Sequence, residues 1–137
     1  MKKVLFICTH NSARSQIAEG LVNHDLAEKF RAFSGGTEPS QVNPLAVAVL
    51  KEVGVDISRH RSKSLDEFKD EKFDFVITLC DHAAETCPVF FGGTKRIHMG
   101  FEDPSKAAGS DKEKLSFFRR IRDEIREKVV RFLQENS

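Results

Sequence analysis

The chain has 137 residues, and its 22 Lys and Arg against 21 Asp and Glu leave a net charge of +1. That length suits one domain with a real core, and the near-neutral balance excludes a basic field for nucleic acid or membrane surfaces, so any preference for anions must be local. The longest apolar runs are strand-sized, far short of the roughly 20 residues that cross a bilayer. The run after Lys2 and Lys3 stops at Ile7, too short for the ~7–15-residue core of a signal peptide. A single cytoplasmic domain over residues 1–137 is expected.

In chain order, residues 4–7 (Val-Leu-Phe-Ile) read as a buried strand. A helix follows from Ser15, with Ile17, Ala18, Leu21 and Val22 on one face. Residues 30–34 read as a second strand ended by Gly35-Gly36, and Glu38-Pro39-Ser40 as loop. Asn43 and Pro44 are a cap and first position for a helix carrying Ala46, Val49, Leu50 and Val53, stopped at Gly54. A short helix is expected over residues 65–70, a strong strand over 73–79 ending at Cys80, and a short strand over 95–98. Ser110 and Glu113 make a capping box for a last helix whose stripe is Leu115, Phe118, Ile121, Ile125, Val129 and Phe132. Strands alternating with helices predict a three-layer α/β/α domain with a parallel sheet. Ligands bind beyond the carboxyl ends of such strands. Cys8 and Cys80 each follow a strong strand, so if those strands are neighbours both thiols open onto one rim.

The segment after the first strand carries the chemistry. Cys8 is followed six residues later by Arg14 and then by Ser15, where the helix begins. Unpaired N–H groups at a helix start suit an oxyanion, and the guanidinium fork can hold two oxygens at once. Together they favour a thiolate at Cys8. Asn11 tolerates left-handed backbone angles, and the Ser15 hydroxyl can donate to the sulfur. Thr9, His10, Asn11, Ser12, Ala13, Arg14 and Ser15 are thus the candidate anion-binding loop. A buried cysteine near a surface arginine has the same spacing, but Asn11, Ser15 and the strand-helix frame point to an enzyme. The chain has three cysteines, an odd number that does not suit a secreted disulfide framework.

The segment Cys8-Thr9-His10-Asn11-Ser12-Ala13-Arg14-Ser15 resembles the loop of low-molecular-weight protein tyrosine phosphatases and of the thioredoxin-coupled arsenate reductases that share their fold. Gln16-Ile17-Ala18-Glu19-Gly20, Phe33-Ser34-Gly35-Gly36, Asn43-Pro44, Asp56-Ile57-Ser58, Thr78-Leu79-Cys80, Cys87-Pro88 and Gly100-Phe101-Glu102-Asp103-Pro104 extend the resemblance over most of the chain. It implies a four-stranded parallel sheet of flavodoxin-like topology. It also implies redox cysteines at Cys80 and Cys87, with thioredoxin as the external reductant and no tightly bound cofactor. On spacing alone a pair of buried, inert thiols fits those two positions as well. Cys80, His82, Cys87 and His98 supply zinc ligand types but lack standard spacing, so no metal is expected.

The reductase reading is a relay. Cys8 attacks arsenate, Cys80 attacks Cys8, and Cys87 takes the disulfide from it. Asp103, before Pro104, is the expected general acid. The alternative is a phosphatase of tyrosine or small phosphate esters using Cys8, Arg14 and Asp103. Against it, Ser105 stands where such phosphatases carry an aromatic residue, and the chain has no Tyr or Trp. A sensor that binds oxyanions without turnover would not need Asp103.

His10 and Ala13 depart from the Gly and Cys frequent in these reductases, and His10 is expected to face solvent. Some relatives hold potassium beside the loop through Asn, Glu, Ser and Asp. Asn11, Glu19 and Ser34 match, but the fourth position is Lys63, which is either an ammonium taking the ion's place beside Glu19 or a solvated surface lysine. His24, His60 and His98 are expected to be surface or packing residues. A monomer is expected, with arsenate and a thiol reductant as partners.

Overall fold

The computed structural model describes residues 1–80 and 95–137. Strands β1 (Lys2–Cys8), β2 (Phe30–Gly36), β3 (Phe75–Thr78) and β4 (Lys95–His98) form one sheet in the order β2-β1-β3-β4, with every pairing parallel. This is the flavodoxin-like order, whose topological switch point lies between β1 and β3. Ile7 is in register with Thr78, and Leu79 N–H continues the ladder by donating to Ile7 O at 2.8 Å. Cys8 and Cys80 therefore do leave neighbouring strands on the same edge of the sheet.

Val4, Leu5, Phe6 and Ile7 are fully buried, as a central strand covered on both faces requires. Val4 and Phe6 join the main core, and Leu5 and Ile7 join a second cluster with Leu65, Phe68, Phe73 and Val76. The main core is shared with helices α1 (Arg14–Asp25), α2 (Pro44–Lys51) and α3 (Asp111–Ile125). Edge-to-face rings of Phe33, Phe68 and Phe73, with centroids 5.7–6.0 Å apart, close the second cluster.

Asn43 caps α2 through its side chain, accepting from Leu45 N–H at 2.9 Å, with Pro44 at the first position. The helix ends at Lys51, and Gly54 takes a positive φ of 80° in the turn beyond. The expected helix over 65–70 is a single 3-10 turn, Leu65–Phe68, and the strand expected over 73–79 is confined to Phe75–Thr78.

Two details differ from the sequence reading for physical reasons. Gly35 and Gly36 end β2 as its last two residues, so the strand runs past the expected end at residue 34. A Cβ on Gly36 would stand 2.6 Å from Thr9 O and 2.9 Å from Asn11 N, so the glycine is there because the anion loop passes against the strand. The last helix, capped by Ser110 and Glu113 as expected, continues through a π-helical turn (Arg126–Val130) into α4 (Arg131–Glu135). The wide turn buries Val129 and Val130 together and hands the stripe to Leu133, leaving Phe132 only partly buried. Among the described residues no helix is long and apolar enough to cross a membrane.

Candidate functional site

The loop from Thr9 to Ala13 joins β1 to α1 at the switch point. Its carbonyls are tied down from behind: Thr9 O accepts from Glu38 N–H at 2.8 Å, His10 O from Ser40 N–H at 3.2 Å, and Ser12 O from Asn43 N–H at 3.0 Å. Asn11 adopts the left-handed conformation its residue type allows (φ 48°) and is fully buried. Its side-chain amide donates to Ser15 Oγ at 2.8 Å, and its Oδ1 accepts from Gln16 Nε2 at 2.9 Å and from Lys63 N–H at 2.8 Å. Ala13 gives α1 no side-chain cap, so the leading N–H groups of the helix remain available to a ligand.

Cys8 and Cys80 are both free thiols, 3% and 8% exposed. Cys8 Sγ lies 2.8 Å from Ser15 Oγ, and Cys80 Sγ lies 3.2 Å from Thr9 Oγ1. One loop therefore touches both sulfurs. Arg14 donates to Phe101 O at 3.0 Å and stands 3.6 Å from Asp103. Phe101 N–H in turn donates to Leu79 O at 3.1 Å. Asp103 Oδ1 accepts from the Ser105 N–H and hydroxyl at 3.0 and 2.7 Å. Burial works to raise the Asp103 pKa, but the Ser105 hydrogen bonds and the Arg14 charge outweigh it and hold the carboxyl below the usual aspartate range. A cleft of about 370 Å³ opens here, lined by Thr9, His10, Arg14, Glu38, Cys80, Asp103 and Lys106. It combines the cations of Arg14 and Lys106 with a thiol and two carboxyls, Glu38 and Asp103, suiting a small oxyanion and a proton transfer.

Residues 3–136 match the family model described as low molecular weight phosphotyrosine protein phosphatase. The chain belongs to this family. Within the phosphatase family its sequence sits with the arsenate reductases. It is 45% identical over 133 residues to the arsenate reductase of Halalkalibacterium halodurans, covering 97% of this chain and 96% of that one. An arsenate reductase solved in the phosphate binding state superposes with a TM-score of 0.80 at 35% identity over the whole of both chains. The Corynebacterium glutamicum thioredoxin-dependent arsenate reductase matches with a TM-score of 0.75 at 31% identity, over 100% of this chain and 64% of that one.

The structure brings together Cys8, Arg14, Cys80, Asp103 and the seven residues from Thr9 to Ser15. Cys87 and His82 lie outside the described residues. Among the described residues no group of three or more His, Cys, Asp or Glu is arranged to hold a metal. His10 is exposed, with Nδ1 2.9 Å from Glu38 O, and it lines the cleft. The potassium donor set of some relatives does not fit here, because Lys63 Nζ itself stands 3.5 Å from Ser34 Oγ and 3.6 Å from Glu19.

Sequence reasoning missed three supports. Gln16, fully buried, donates to Asn11 and to Arg61 O and faces His60 Nδ1 at 3.0 Å. His60 also lies 3.0 Å from Glu19. Lys106 shares the cleft with Arg14. Only Lys106, three residues after Asp103, stood close enough in the chain to be suspected.

Proposed function

We propose that this family member reduces arsenate to arsenite by a three-cysteine relay. The reading rests on one observation: two free thiols end adjacent strands, and the same anion loop touches both, through Ser15 and Thr9. A phosphatase needs only the first of them.

In the proposed cycle, arsenate enters against Arg14 and the N-terminus of α1. The Cys8 thiolate attacks arsenic, and an oxygen protonated by Asp103 leaves as water. The Cys80 thiolate then attacks Cys8 Sγ. A sulfur–sulfur bond forms, the sulfur–arsenic bond breaks, and its electron pair stays with arsenic, which departs as arsenite. Cys87 attacks Cys80, freeing Cys8 and leaving a Cys80–Cys87 disulfide. Two thiols have supplied two electrons, and an external dithiol restores them by exchange. Thioredoxin is the reductant proposed, by likeness to the C. glutamicum relative. Asp103 is ionised in the free enzyme. An arriving dianion draws Arg14 away and adds negative charge, and both effects push the carboxyl towards its protonated, donating form. We infer that it acts as a monomer in the cytoplasm, the compartment where the thiols of such a relay stay reduced.

The test supplies arsenate, thioredoxin, thioredoxin reductase and NADPH. Arsenate-dependent NADPH loss is expected, and it should vanish in separate Cys8→Ser, Cys80→Ser and Cys87→Ser variants. Mass spectrometry of enzyme stopped after one turnover should find a Cys80–Cys87 disulfide. Phosphate-ester hydrolysis that survives Cys80→Ser and Cys87→Ser, without arsenate reduction, would replace this reading with the phosphatase one.

A further inference from the structure

Glu19 is a carboxylate 7% exposed on α1, just beyond the anion loop. A buried carboxylate is strongly destabilising unless a cation and hydrogen bonds satisfy it. Ser34 donates a hydrogen bond to Oε1 at 2.9 Å. Two basic side chains face it. His60 Nδ1 lies 3.0 Å from Oε2, and Lys63 Nζ lies 3.6 Å from Oε1. Burial lowers the His60 pKa, Glu19 opposes this, Lys63 adds to it and Asp56 opposes it, and the net shift is downward. Nδ1 also lies 3.0 Å from Gln16 Oε1, and the downward shift disfavours a charged ring, so the cation that faces Glu19 is Lys63.

Lys63 is placed for more than an ion pair. Its ammonium is 3.1 Å from Arg61 O and 3.5 Å from Ser34 Oγ. Its own N–H donates to Asn11 Oδ1 at 2.8 Å, and its carbonyl accepts from Gly36 N–H at 2.8 Å. The Lys63 side chain is 12% exposed, so the charge is spent on this nest rather than on solvent. One residue thus joins β2, α1 and the buried tip of the anion loop.

We infer that the Lys63 ammonium is a tethered cation for the Asn11, Glu19 and Ser34 nest, holding the anion loop ready for its ligand and making this chain indifferent to potassium. The inference goes beyond the reductase reading, and its readouts need no turnover, so either can fail without the other.

The test melts the full chain, without substrate, in potassium, sodium and choline chloride at equal ionic strength. Midpoints agreeing within about 1 °C are expected, because an ion that bound the native state would raise the midpoint with its concentration. Inorganic phosphate should protect Cys8 from iodoacetamide at the same half-protecting concentration in all three salts. Lys63→Met should melt lower and need more phosphate for protection. If it does not fold, Lys63→Arg takes its place, and a retained, salt-indifferent midpoint with phosphate protection supports the inference. A wild-type midpoint that rises selectively with potassium overturns it. So does a Lys63→Met protein that melts and binds phosphate like the wild type, or a Lys63→Arg protein that loses both properties.

Discussion

Ser15 Oγ stands between Asn11 and Cys8, accepting from Asn11 Nδ2 at 2.8 Å and lying 2.8 Å from Cys8 Sγ. The hydroxyl keeps its own hydrogen to give, so towards a Cys8 thiolate Ser15 donates and the sulfur accepts. That direction suits an ionised nucleophile, which has no proton of its own to give. Asn11 reaches Cys8 without touching it.

Ser15→Ala should leave the fold intact and slow the first step. A hydrogen bond to a charged group contributes ~1.5–3 kcal/mol, which predicts a loss of about 10- to 100-fold in kcat/KM for arsenate. Iodoacetamide should alkylate Cys8 more slowly at pH 7 in the variant. Equal alkylation rates would show that the hydroxyl does not serve the sulfur.

Asp103→Asn separates proton donation from anion binding. A general acid contributes ~10²–10⁴-fold, so kcat should fall by that order. Arsenate or phosphate should bind at least as tightly, because a negative charge has left the cleft. The Asp103 pKa is lowered in the folded chain, so the carboxylate's stabilising contribution is present above the ordinary aspartate value of ~3.9 and is lost as pH falls through the folded value. Denaturation curves of wild type and Asp103→Asn should therefore differ most near neutrality and converge in acid.

His60 gives a pH dependence of the same sign, but at higher pH. Its folded pKa lies below the ordinary value, chiefly through burial, so below ~6.5 the unfolded chain binds the proton first. Stability should then fall as pH drops from there towards the folded value. His60→Gln should flatten that part of the stability profile. A slope unchanged by the substitution would mean that other groups set it.

Gly36→Ala probes the close approach of strand and loop. The new Cβ would meet Thr9 O at 2.6 Å, Asn11 N at 2.9 Å and Cys8 O at 3.1 Å, all backbone atoms that cannot rotate aside. Overpacking of this kind costs ~1–3 kcal/mol. A lowered melting midpoint together with weakened phosphate protection of Cys8 is expected. Full phosphate protection at wild-type concentrations would show that the loop tolerates the shift.

The elements that position the site are legible in the sequence because they rest on local signals. Residues 4–7 and 73–79 read as buried strands each followed by a cysteine, and parallel pairing of those strands follows from the α/β pattern. Asn43, Ser110 and Glu113 read as caps because capping is a contact across two or three residues. Gln16 and His60 are not legible in the same way. Their role depends on two positions 44 apart in the chain folding back to meet, and no local spacing records that. Gly36 reads as a strand terminator because glycine usually is one. Its real reason, the loop passing overhead, exists only in three dimensions.

Phe101 has one bonded neighbour on each side of its peptide group. Its N–H holds Leu79, next to Cys80, and its carbonyl holds Arg14. The end of β3 beside Cys80 and the Arg14 guanidinium therefore share a single anchor. Drawing the end of β3 outward by more than the slack of one hydrogen bond either snaps that bond or drags the arginine with it. In the proposed relay, movement at Cys80 and the hold of Arg14 on its ligand would be linked through the backbone of a residue that does no chemistry.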